Sequence, residues 1–133
     1  MFFSHSNEDA VLAGKLRNLL TRRVNAQVFT TEELSAGEKW ATKLRKELEA
    51  ADVVLALLTP GSIDSSWVLL EIGAAWALQK LIVPVVTRRD ILNKLPVSLG
   101  GAKVIEVTDL ETPENADRFV NAFEESLAAA HIA

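Results

Sequence analysis

Trp67 and Glu71 stand four residues apart in the stretch SSWVLLEIGAAWAL, which runs from Ser65 to Leu78. Glu71 is the only charge in those fourteen residues. The apolar neighbours read as a helix buried over most of its surface, and the four-residue spacing sets indole and carboxylate on one helix face. A carboxylate in such a helix is costly unless something uses it. An aromatic wall beside a carboxylate at a cleft suits a flat, polar ligand such as a nucleoside. The plainer reading is a glutamate that reaches solvent past its neighbours or caps another loop, since buried charges are more often structural than catalytic.

Two loops hold the other polar candidates. SHSNED (Ser4–Asp9) contains no glycine and is not a phosphate-binding glycine loop, although backbone N–H groups at the helix start that follows suit a phosphate. His5 reads as a cleft or surface histidine rather than a general base. FTTEELSAGEKW (Phe29–Trp40) reads as a strand end, an acidic turn and a helix start, with Gly37 serving the turn and Trp40 packing in the core. Its length and polarity also suit folding over a cleft or binding a partner. Arg88, Arg89 and Asp90 read as a solvated turn.

The totals narrow the chemistry. The chain has 133 residues, the usual size of one domain, and is 49% hydrophobic and 24% charged. Net charge is -4 with no basic block, which argues against nucleic acid or an anionic membrane as the main partner. The absence of cysteine removes disulfides, thiolate metal sites and a Cys nucleophile, and suits a reducing cytoplasm. The two histidines, His5 and His131, lie at opposite ends of the chain, which argues against a His-based metal site. No segment approaches the ~20 apolar residues needed to span a bilayer, and the N-terminus lacks the basic region and cleavage site of a signal peptide. Met1-Phe2-Phe3 enters a strand-like stretch at once, as expected of a domain cut from a longer chain or of a natural protein with a clipped start.

The elements that must position these residues alternate. Strand-like runs are Phe2–Ser4, Ala26–Phe29, Val53–Leu58, Leu81–Val86 and Lys103–Val107. Three are continuously apolar, the pattern of parallel strands covered on both faces. Helical patterns span Glu8–Arg23, with Val11, Leu12, Leu16, Leu19 and Leu20 on one face, then Glu38–Ala50, Ser66–Leu78 and Pro113–Ala130. Ser6 with Asp9 reads as a capping box, and Thr112-Pro113 as an N-cap followed by proline at the first helical position. Arg88–Ala102 reads as irregular, with only a short helix. The sequence shows no repeat or linker, so one domain over residues 1–133 is expected. The expected architecture is α/β: a flavodoxin-like, doubly wound, five-stranded parallel sheet of order 2-1-3-4-5 with helices on both faces. Ligands of such sheets bind beyond the carboxyl ends of the strands near the switch point. There the loops Ser4–Asn7, Thr30–Gly37 and Thr59–Ser65 crowd together, and Glu71 follows the third. A response-regulator receiver shares the fold, but it needs an acidic cluster after strand one and a phosphoacceptor Asp ending strand three. Ser4-His5-Ser6 and Thr59-Pro60 stand there instead.

In this order the motifs resemble a TIR (Toll/interleukin-1 receptor) domain of the type common in bacteria. FFSHSNED is similar to the family's first strand and loop, VFTTEELSAGEKW to its second strand and BB loop, ADVVLALLTPGSIDSSWVLLEIGAAWAL to its third strand and W-x-x-x-E helix, and LIVPVV to its fourth strand. The resemblance implies cleavage of NAD+ between nicotinamide and ribose, with Glu71 catalytic. It implies a substrate pocket that includes Asp64 (seven residues before Glu71), Phe29 and Thr30 at the end of the second strand, Trp67, and His5 and Ser6 of the first loop. NAD+ is then the substrate, with no further cofactor and no metal. Self-association through the BB loop, Thr30–Gly37, is the implied assembly, with a defence role in the cytoplasm. The first loop has no arginine, although some active relatives place basic residues there, so the diphosphate contact is unassigned. Two other functions stay open: a non-catalytic TIR–TIR interaction module using Thr30–Gly37 and Arg88–Gly101, and an enzyme similar to nucleoside deoxyribosyltransferases.

Overall fold

The computed structural model describes residues 1–30, 40–95 and 103–130. Four strands form one parallel sheet in the order β1-β2-β3-β4: β1 is Phe2–Ser4, β2 Val53–Leu58, β3 Leu81–Val86 and β4 Ile105–Glu106. The register sets Ser4 beside Ala56, Leu58 beside Val86 and Val86 beside Glu106. Helices α1 (Ala10–Arg23), α2 (Trp40–Ala50), α3 (Ser66–Ala77) and α4 (Pro113–Ala129) complete the element order.

Both faces of the sheet are covered, as the apolar runs require. Alternation along the strands sends Phe3, Val53, Leu55, Leu57, Val83 and Val85 to one side, where they meet Leu16 and Leu20 of α1 and Phe119 and Phe123 of α4. Phe2, Val54, Ala56, Leu58, Ile82 and Val86 point to the other side, against Leu44 and Leu48 of α2 and Val68, Ile72 and Ala75 of α3. β2 is buried at every position, so its unbroken VVLALL needs no polar alternation.

Five strands were expected, and the described residues form four. Of Ala26–Phe29 only Phe29 pairs, as an isolated parallel bridge to Phe2. Phe3 N donates to Phe29 O at 2.8 Å and Phe29 N donates to Met1 O at 2.9 Å. The Met1 ammonium donates to Gln27 O at 3.0 Å in the same parallel sense, beside a β1 only three residues long. The bridge lies on the side of β1 away from β2, the position that the 2-1-3-4-5 order gives to the second strand, and among the described residues it is the pairing found there. The last strand is likewise shorter than Lys103–Val107.

Helix limits depart from expectation at their starts. α1 begins at Ala10 after a separate 3-10 turn over Asn7–Asp9. Ser6 and Asp9 do not form a capping box: Ser6 Oγ donates to the Asp9 carboxylate at 3.2 Å instead of accepting from backbone. Val11, expected on the buried face of α1, is 76% exposed, and Ala13, Leu16 and Leu20 carry that contact. Pro113 takes the first turn of α4 as expected, while the Thr112 hydroxyl donates to Asp109 O rather than capping the helix. A 3-10 helix over Arg89–Lys94 supplies the short helix of the irregular segment. Arg88 and Asp90 pair at 2.6 Å on the exposed turn before it. Residues 31–37 of the BB loop, 96–102 and His131 lie outside the described residues.

Candidate functional site

α3 owes its position to the turn that leaves β2. Ser62 Oγ accepts from Thr59 N at 2.9 Å, and Ser62 N and Ile63 N both donate to Thr59 O at 3.0 Å. Thr59 Oγ1 donates to both oxygens of Asp9, at 3.0 and 2.9 Å, which ties the third loop to the first. Ser65 then caps α3, its Oγ accepting from Val68 N at 3.3 Å. From this start Trp67 and Glu71 lie one turn apart on a helix that packs on β1, β2 and β3.

Glu71 is fully buried. Ser4 Oγ, at the carboxyl end of β1, donates to Glu71 Oε1 at 2.7 Å. The other oxygen, Oε2, is buried with no hydrogen bond of ordinary geometry. Burial pushes the Glu71 carboxyl up to about 7, while hydrogen bonding from Ser4 and, less strongly, from Trp67 acts the other way. The upward shift arises from desolvation. A lone carboxylate with one tethered and one unsatisfied oxygen is suited to accept a hydroxyl proton donor or to face a developing positive charge.

β1 sorts the remaining candidates by alternation. Ser4 shares the side of Phe2, toward α3. Phe29 is half-buried on that same side, its ring 5.6 Å from the Phe2 ring and with Lys43 Nζ 5.7 Å from its centroid. His5 falls on the opposite side. Its ring meets the Phe3 ring edge-on at 5.3 Å, and it lines a cavity of about 70 Å³ with Thr30, Arg17 and Gly14. Thr30 is buried there, its Oγ1 without a partner among the described residues. His5 and Thr30 thus line a cavity on the α1 face of the sheet, whereas Glu71 lies on the α3 face. Ser6 is engaged with Asp9, and Asp64 is exposed on the turn before α3. Among the described residues no group of three or more His, Asp or Glu is placed to hold a metal ion.

A comparison with protein-family models matches the TIR domain over residues 1–127. The chain belongs to the TIR domain family. The parallel α/β sheet just described is consistent with that fold, and membership supports NAD+ hydrolysis or signalling through TIR–TIR contacts in general. A comparison with curated proteins finds no match. Among the described residues of this TIR domain, no helix is long and apolar enough to cross a membrane.

Two residues beside these candidates were not picked out from sequence. Ser4 is the carboxylate's partner, and the signal available was a polar residue closing a buried strand on the α3 side. Arg17 stands beside His5 and Thr30, donating from its guanidinium to Val28 O at 3.2 Å. It places a cation on the α1 side of a TIR domain whose first loop has none.

Proposed function

We propose that this TIR domain is an NAD+ glycohydrolase, a cytoplasmic defence effector activated by self-association, with Glu71 as its catalytic residue. The observation that carries the reading is the geometry of Glu71: one carboxylate, fully buried beside Trp67, with Oε2 unsatisfied. Glycosidases that act on ordinary sugars need two carboxyl groups because the leaving oxygen must be protonated. Nicotinamide is a cationic pyridinium in NAD+ and leaves neutral when the bond between its ring nitrogen and the ribose C1′ breaks. No general acid is needed. The electron pair of that bond goes to the nicotinamide nitrogen, and C1′ becomes oxocarbenium-like. An ionised Glu71 binds a ribose hydroxyl and stabilises the charge developing on the ring. Water then adds at C1′ and releases a proton, giving ADP-ribose; attack by a nitrogen of the adenine base instead gives a cyclic form. Phe29 and Trp67 are the aromatic candidates for substrate contact on this side of the sheet, and Asp64 lies at the entrance to α3.

Because only the carboxylate form of Glu71 works, kcat/KM should rise with pH through about 7 and level off above it. Nicotinamide release followed by chromatography across pH 5.5–8.5 checks this. A rate that falls over that range contradicts an ionised Glu71.

The second reading is a TIR–TIR interaction module without catalysis. Its supporting observation is that Glu71 has no exposed surface, so a ribose reaches it only after covering side chains move. Assembly that opens the site reconciles this closure with catalysis; a scaffold has no need to open it.

A further inference from the structure

We infer that Ser4 is the positioning residue of this site: its hydroxyl holds Oε1 of Glu71 so that Oε2 alone is presented to the substrate. The inference rests on the glycohydrolase reading for its consequence in catalysis, but not for the division of labour between the two oxygens.

The contact is 2.7 Å long between two side chains with no exposed surface. That is an ordinary length for a hydroxyl hydrogen bond, and when the carboxyl is ionised such a bond is about twice as strong as a neutral one. The sheet offers nothing else. β2 and β3, the other strands against α3, carry only Val, Leu, Ala, Ile and Pro, and the rest of β1 is Phe2 and Phe3. On α3 itself Trp67 is the only other polar neighbour that acts on the carboxyl. Among the described residues, burial, Ser4 and Trp67 are the influences on its charge state.

The terminal torsion of a glutamate is broad and nearly two-fold, so an untethered carboxylate turns freely between its two faces. Ser4 removes that freedom. It occupies one oxygen and leaves Oε2, which has no hydrogen bond of ordinary geometry, as the other acceptor. When the carboxyl is neutral, its proton sits on Oε2, since Oε1 is accepting from Ser4. The oxygen that loses this proton is then the one that receives the ribose hydroxyl. The register of β1 sets this arrangement, because one residue further along the chain His5 faces α1.

The test is a carbon-13 NMR titration of the protein labelled at glutamate carboxyls, with Glu71→Gln identifying the Glu71 signal. The parent, Ser4→Ala and Ser4→Thr are compared, and thermal unfolding checks that each is folded. Loss of a hydrogen bond to a charged group is expected to raise the Glu71 midpoint in Ser4→Ala by about one to two pH units. Ser4→Thr keeps the donor and should titrate with the parent. In the nicotinamide assay Ser4→Ala should lose about ten- to hundredfold in kcat with KM unchanged, and its pH profile should move upward with the NMR midpoint. An unchanged midpoint in Ser4→Ala overturns the inference whatever the assay gives. A shifted midpoint, with the parent itself releasing no nicotinamide, upholds Ser4 as the carboxylate's anchor and counts against the glycohydrolase reading instead.

Discussion

Glu71 is held at a cost to the fold. Its carboxyl is raised from 4.5 to about 7 by burial. Below pH 4.5 folded and unfolded chains both hold the proton, and stability is unaffected. Between 4.5 and 7 the folded chain keeps a proton that the unfolded chain has released, so stability falls as pH rises. Above 7 the full penalty applies, at most ~3 kcal/mol. Glu71→Gln removes it, and Gln still accepts from Ser4. The variant should match the parent near pH 4.5 and unfold at higher temperature than the parent near pH 8. Equal melting temperatures at both pH values would show that the carboxylate is not penalised. Glu71 was legible in the sequence because a single charge in fourteen apolar residues stands out by composition. Ser4 was not, because its partner lies 67 residues away and pairing at that separation leaves no local pattern.

At the scale of elements, α3 is the carrier of the site and Ser65 is its first fixed point. Ser65→Ala removes the side-chain acceptor for Val68 N and should cost about 1 kcal/mol, or ~3–6 °C in Tm, by differential scanning calorimetry. An unchanged Tm would mean that the turn held by Thr59, Ser62 and Asp9 sets the helix start without it. The helices and the β2 and β3 strands were readable from period and continuous apolarity. The edge of the sheet was not: Ala26–Phe29 has the composition of a strand, yet among the described residues only Phe29 forms a bridge, to Phe2 of the three-residue β1. The faces taken by the first-loop residues were not legible for a related reason. Ser4, His5 and Ser6 are adjacent in sequence, but alternation sends Ser4 to α3 and His5 to α1, and only the register of β1 decides which goes where.

The whole molecule is a parallel sheet between two apolar layers, one with α1 and α4, the other with α2 and α3. Apolar runs alternating with helical patterns made that layering legible. The layer with α2 and α3 holds Glu71, which is closed within it. If assembly opens the site, turnover per protomer rises with protein concentration, and light scattering should show larger species over the same range. Constant turnover across a hundredfold dilution would contradict activation by association. The decisive measurement is nicotinamide release from NAD+ at high protein concentration, with the parent beside Glu71→Gln. Release by the parent and none by the variant, with both folded, is the predicted result. Equal release by both would remove Glu71 from the chemistry and contradict the proposed mechanism.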